Sequence, residues 1–171
     1  KTSRVVLYAP TWRDGAEDPA IPSRAQWHRI LEVLSAHDAI LVVRSHPLGA
    51  GTYVPPEPSD RVRVLGSDLA PDVTPLLPAM EVLITDYSSL VYDSALVPLP
   101  VVFLAPDVVE YARDRGFYGT YVDVAGDAPA ANWDSASDRL DELLSDRSVY
   151  AAAAMRAKEL SAKVHAYDDG M

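Results

Sequence analysis

Five short apolar runs constrain this chain more than anything else in it. Residues Arg4–Ala9 (RVVLYA), Ala39–Val43 (AILVV), 62–65 (VRVL), 82–84 (VLI) and 100–104 (PVVFL) are too short for buried helices and rich in β-branched residues. Runs of that kind are strands covered on both faces. The segments between them carry helical spacing. Residues 25–36 place Trp27, Ile30, Leu31 and Leu34 on one stripe, and 88–96 and 108–115 follow the same period, the last stopped by Gly116. Residues 73–80 predict a brief helix, interrupted by Pro75 and Pro78. A sixth short strand is expected over 120–124, then helices over 136–144, capped by Asp134 and Ser135, and over 148–163. Strands alternating with helices at this spacing predict an α/β fold, a Rossmann-like doubly wound parallel sheet. At 171 residues the chain reads as one domain, 1–171.

Charge narrows the partners. The net charge is −10, from 15 basic against 25 acidic residues, which argues against nucleic acid and anionic lipid. An anionic ligand therefore needs a local exception, and twelve of the fifteen basic residues are Arg, the better bidentate phosphate partner. Cysteine is absent, which removes disulfides and thiolate metal sites and suits a cytoplasmic protein. No apolar run reaches the length of a membrane span, and no signal peptide is expected ahead of the first strand.

In parallel sheets ligands bind beyond the carboxyl ends of the strands. The chemically rich clusters all sit there: Thr11-Trp12-Arg13-Asp14, Arg44-Ser45-His46, Ser67-Asp68, Thr85 to Ser89, and Asp107. Asp86, Ser88 and Ser89 lie where a strand feeds a helix start, whose free N–H groups and dipole favour phosphate; an ordinary helix cap uses the same residues. Arg13 can grip a phosphate with two prongs or pair with Asp14. Arg44 has a buried ion pair as its rival role. His46, between Ser45 and Pro47, suits donation to a phosphate oxygen or protonation of a leaving phosphate. Asp93, one turn after Ser89, suits a sugar or polyol hydroxyl, or only solvent. Tyr111 and Tyr118 approach the same edge, and Tyr111 reads equally as packing. His28 and His37 read as solvent-facing, and His165 carries no assigned role. No metal set, glycine-rich phosphate loop or Gly-x-Ser-x-Gly elbow stands out.

These motifs resemble the carboxy-terminal donor-binding domain of the CDP-glycerol glycerophosphotransferases, the teichoic acid polymerases and primases. The matching stretches are LYAPTWRD from Leu7, RSHP from Arg44, ITDYSSLVYD from Ile84, PVVFLAPD from Pro100, EYARDRGFY from Glu110 and YDDG from Tyr167. The resemblance implies the C-terminal half of a GT-B glycosyltransferase-type fold, with a cleft to an amino-terminal half that this chain lacks. It implies a CDP-glycerol or CDP-ribitol donor, a polyol-phosphate or glycan acceptor, release of CMP and no cofactor. It also implies a peripheral position at the inner face of the membrane, reached only through segments absent here. The isolated domain is then expected to bind donor without turnover. Arg13 and His46 are expected at the pyrophosphate, Ser88 and Ser89 at a phosphate, and Asp93 at polyol or ribose hydroxyls, with His46 the catalytic candidate. With the other strand-end residues, the expected substrate-binding set is Thr11, Arg13, Arg44, Ser67, Asp86, Ser88, Ser89, Asp93 and Asp107. A UDP-sugar epimerase or glycosyltransferase of the same fold, and a non-catalytic nucleotide-binding module, remain the alternatives.

Overall fold

The computed structural model describes residues 3–13, 17–44, 53–117, 119–126 and 128–165. Five parallel strands form one sheet in the order β3-β2-β1-β4-β5: β1 is Arg4–Ala9, β2 Ala39–Val43, β3 Val62–Val64, β4 Val82–Thr85 and β5 Val101–Phe103. The register pairs Tyr8 with Val43 on one side and Ile84 on the other. Alternation divides the core. Val6, Tyr8, Leu41, Val43, Val82 and Ile84 face α1 (Arg24–Ala36) and α5 (Trp133–Ser145). Leu7, Ala9 and Leu83 face the opposite layer, with Leu77 of the 3₁₀ helix Thr74–Ala79 and Leu90 of α2 (Leu90–Ala95). The remaining helices are α3 (Val108–Asp114), α4 (Tyr121–Ala125) and α6 (Arg147–Val164). Both faces of the sheet are covered, which explains runs with no polar alternation.

The expected sixth strand is a helix. Residues 120–124 are mostly β-branched or aromatic, yet α4 turns there between Gly119 and Gly126, both at positive φ (88° and 78°). Backbone in that region starts and stops short turns at low cost only for glycine. The position beside β5 goes to Ala130, whose N–H donates to the Phe103 carbonyl at 2.7 Å and whose carbonyl accepts from Ala105 at 2.9 Å. Helix starts also moved. Asn132, not Asp134 or Ser135, caps α5, in a reciprocal box with Ser135. His37 is half-buried rather than solvent-facing, with Nε2 2.6 Å from Asp141.

A buried polar knot ties the loop after β1 to the sheet. Asp18, 7% exposed, accepts from the hydroxyls of Tyr8 (3.0 Å) and Tyr53 and from the Ala20 N–H (2.8 Å). Trp133 Nε1 donates to the Ala20 carbonyl and its ring meets Tyr8 edge-on at 4.9 Å. Burial, then the Asp18 carboxylate, pushes both phenols above their ordinary range. Folding thus retains protons that the unfolded chain releases near pH 10. The stabilisation is complete below that pH and is lost as pH rises above it, by about 1.4 kcal/mol per pH unit for each phenol. Urea midpoints measured from pH 8 to 11.5 should be level to about pH 10 and then fall steeply; in a Tyr53→Phe variant the fall should be shallower.

Candidate functional site

Strand order reverses between β1 and β4, so the crevice beyond their carboxyl ends is the expected ligand position. An internal clip occupies that point. Asp86, 4% exposed, accepts from the Thr11 N–H (2.8 Å), the Tyr87 N–H (2.6 Å) and Arg13 Nη2 (2.7 Å). Arg13 Nε and Nη2 also donate to the two oxygens of Asp107 at 3.0 and 3.2 Å, and Nη1 donates to the Thr11 carbonyl at 2.7 Å. The guanidinium lies 5.1 Å from the ring centroids of both Tyr87 and Tyr111, within cation–π range. Burial alone disfavours the Arg13 charge, but the bonds from Asp107 and Asp86 outweigh it and raise its pKa further. Two carboxylates against one cation leave the cluster one negative charge in excess.

The parallel topology brings Thr11, Arg13, Asp86 and Asp107 into this cluster. Arg13 pairs with Asp86 and Asp107, far away in sequence, while the expected neighbour Asp14 lies outside the described residues. Arg44 is half-buried and braces the next loop, donating to the carbonyls of Leu65 (3.2 Å) and Pro71 (3.2 Å). Ser67 is half-buried in that same loop. At the turn into α2, Ser88 Oγ accepts from the Leu90 N–H at 3.2 Å. Ser89 is the exposed N-cap residue and makes no side-chain capping bond. Asp93 is half-buried in α2. His46, Ser45 and Pro47 lie outside the described residues, as do Tyr118 and the YDDG stretch. His165 Nε2 lies 3.1 Å from the Tyr92 carbonyl.

Of the aromatic half of the site, sequence reasoning placed Tyr111 at this edge and missed Tyr87, Phe117 and Tyr121. Tyr87 stacks on Tyr111 (centroids 3.9 Å apart), Tyr111 on Phe117 (5.5 Å) and Phe117 on Tyr121 (5.2 Å). Tyr87 donates its hydroxyl to Asp107 (2.9 Å) and Tyr121 donates to the Asp86 carbonyl (3.1 Å). Burial first, then Asp107 for Tyr87 and Asp86 for Tyr121, keeps both phenols protonated beyond the usual range. Reading 120–124 as a strand hid Tyr121; the available signal was the glycine on either side of it. Among the described residues no His, Asp and Glu group has metal-binding geometry, and no helix is long and apolar enough to cross a membrane.

Three comparisons bear on this arrangement. The chain is 31% identical over 142 residues to the teichoic acid glycerol-phosphate primase of Bacillus spizizenii, covering 82% of this chain and 35% of that protein. Its fold matches the wall teichoic acid polymerase TagF with a TM-score of 0.71 at 24% identity, covering 98% of this chain and 40% of TagF. A TagF variant soaked with CDPG matches at a TM-score of 0.66. The UDP-GlcNAc 2-epimerase of Neisseria meningitidis, bound to UDP-GlcNAc, shares the fold at a TM-score of 0.61 and 13% identity, over 96% of this chain and 45% of the epimerase. The chain therefore has a Rossmann-like fold of the GT-B type and spans less than half the length of these proteins. The CDP-glycerol:poly(glycerophosphate) glycerophosphotransferase family matches over residues 1–171, and the chain belongs to that family.

Proposed function

We propose that this chain is the donor-binding domain of a larger two-domain transferase. The enzyme moves glycerol phosphate, or a related polyol phosphate, from a CDP-linked donor to a terminal hydroxyl of a teichoic-acid-like acceptor. The single observation that carries this reading is the hydroxyl turn of half-buried Ser88 and exposed Ser89, beside the switch point and next to the Asp86–Arg13 clip in a member of this family. Small donors at a fixed turn suit phosphate oxygens. Asp93, one turn on, accepts from a ribose or glycerol hydroxyl. Arg44 and Ser67, at and after the carboxyl ends of β2 and β3, would meet the donor from that side of the switch point. Arg13, Thr11, Asp86 and Asp107 act mainly by fixing the turn's position.

In the reaction the acceptor oxygen attacks the donor's β-phosphorus as the bond to the CMP oxygen breaks. The hydroxyl proton leaves to a base in the rest of the protein, and CMP departs. His46 supplies a proton to the departing phosphate. A phosphate monoester with a pKa near 6 is already a good leaving group, so this assistance sits at the low end of general-acid effects. His46→Ala in the full-length protein should lower kcat about 10- to 100-fold with CMP affinity unchanged; a kcat within twofold of wild type removes His46 from the chemistry.

Thermal-shift measurements test the donor class. CDP-glycerol, CDP-ribitol, CMP, UDP and UDP-GlcNAc are compared at equal excess. A ligand at 100 times its Kd adds about 2.7 kcal/mol, or roughly 5–10 °C for a chain of this size. The cytidine compounds should shift the transition and the uridine compounds should not. The fold shared with the epimerase makes a UDP-sugar the alternative, and a response confined to UDP and UDP-GlcNAc would replace the CDP-polyol reading.

A further inference from the structure

The turn bearing Ser88 and Ser89 is entered through one peptide unit, and both polar ends of that unit are held. The Tyr87 N–H donates to the Asp86 carboxylate at 2.6 Å, and the carbonyl of the same unit accepts from the Tyr121 hydroxyl at 3.1 Å. Ser88 follows at once, so the plane of this unit sets where the turn presents its donors. Asp86 belongs to the clip and is fixed from the β1 side by Thr11 and Arg13. Tyr121 comes from α4, and its ring reinforces the contact, meeting Tyr87 at 5.1 Å and Phe103 edge-on at 6.1 Å.

The element that carries Tyr121 is attached quite differently from the clip. α4 has five residues, none of them buried. Gly119 and Gly126 bound it at positive φ, and a Cβ at either would meet nothing within 4 Å. Glycine is needed there for backbone conformation and not for space. At Gly126 the combination of φ 78° and ψ −178° is essentially closed to every other residue. A cavity of about 630 Å³ lies on one side of α4, lined by Thr120 and Tyr121 together with Ser88 and Ser89. A second, of about 470 Å³, lies on the other, where Val122 and Ala125 line the space with Val101 of β5 and Leu160 of α6. A short helix with space on two sides, no buried residue and a glycine at each end is an element of low local stability, tied down chiefly through Tyr121.

We propose that α4 is a hinged arm and Tyr121 its latch, a positioning residue for the bound nucleotide. Engaged, Tyr121 holds the 86–87 peptide in the orientation that turns Ser88 and Ser89 to the phosphates. Released, it leaves that peptide free to rotate, and the apparent affinity falls with the fraction of molecules in which the latch is engaged. The assignment rests on the donor reading above. It adds a second control of the same site, because the arm can be shifted at Gly126, which does not line the Ser88–Ser89 cavity.

The test combines hydrogen exchange with calorimetric titration of the chain with CMP, on wild type, Tyr121→Phe and Gly126→Ala. Tyr121→Phe removes only the hydroxyl, and Gly126→Ala acts at the hinge. Both should speed amide exchange over 121–125 at least about fivefold, leave exchange in β1 and β4 unchanged, and weaken CMP about five- to tenfold. CMP bound to the wild type should slow exchange over 121–125. Exchange in β1 and β4 reports global folding, so if one variant is destabilised throughout, the other decides. CMP affinity within twofold of wild type in a variant whose arm exchanges faster overturns the proposal, and so does unchanged exchange over 121–125 in both variants. A wild type that binds UDP and not CMP sinks the donor reading, and the same comparison made with UDP then decides the latch. Binding of neither nucleotide overturns both.

Discussion

Arg13→Ala should lower the unfolding free energy by about 3–5 kcal/mol, the cost of leaving a buried carboxylate without its cation. The side chains are well desolvated: Arg13 is 10% exposed, Asp86 4% and Asp107 18%. The substitution strands two carboxylates 73 and 94 residues away in sequence and removes the cation that lies 5.1 Å from the ring centroids of both Tyr87 and Tyr111. For a chain of this size the drop corresponds to about 10 °C in the thermal midpoint. Arg13→Lys should recover only part of it, since an ammonium cannot match two carboxylates with a planar fork. Arg13→Ala combined with Asp86→Asn should be less destabilised than Arg13→Ala alone, because one of the stranded charges is gone. Chemical denaturation of the four proteins decides it. If Arg13→Ala retains stability within about 1 kcal/mol of wild type while losing donor affinity, Arg13 is a phosphate ligand after all and the clip is incidental.

The clip also shows where the sequence stopped being legible. The strands were readable because burial on both faces removes polar alternation, and β1, β2 and β4 begin where the apolar runs begin. The convergence of Thr11, Arg13, Asp86 and Asp107 followed from parallel topology alone. Arg13's partners did not follow. Which carboxylate a strand-end arginine meets depends on sheet register and loop path, and Asp14 is as good a sequence candidate as Asp107. The error at 120–124 has a related cause. Thr120, Tyr121, Val122 and Val124 are strand-forming residue types, while the backbone freedom of Gly119 and Gly126 permits the turn that puts Tyr121 against Phe117 at 5.2 Å. Strand propensity over five residues cannot outweigh two glycines at positive φ. Tyr111 is legible at this edge from the sequence, but Tyr87, Phe117 and Tyr121 come from the turn before α2, the connection between α3 and α4, and α4, with no local spacing to announce them.

Ser89→Glu should separate ligand binding from stability. Ser89 is exposed, caps a six-residue helix and makes no side-chain capping bond, so its replacement costs the helix start no such bond. A carboxylate at a helix start is mildly favourable, so stability should stay within about 0.5 kcal/mol of wild type or rise slightly. The donor would meet that same charge directly. Two unit charges 4 Å apart at an effective dielectric near 20 interact by about 4 kcal/mol, and part of that survives solvent screening at the open turn. CMP and CDP-glycerol affinities should fall by about two to three orders of magnitude. Ser89→Ala removes one neutral hydrogen bond and should cost only about tenfold. Isothermal titration of the three proteins against CMP, with urea melts on the same samples, measures both quantities. The signature of a phosphate site is affinity falling in the order Ser, Ala, Glu while stability does not. Equal affinity for CMP in all three would place the phosphates away from the turn, since a full negative charge within reach of a bound phosphate cannot go unfelt.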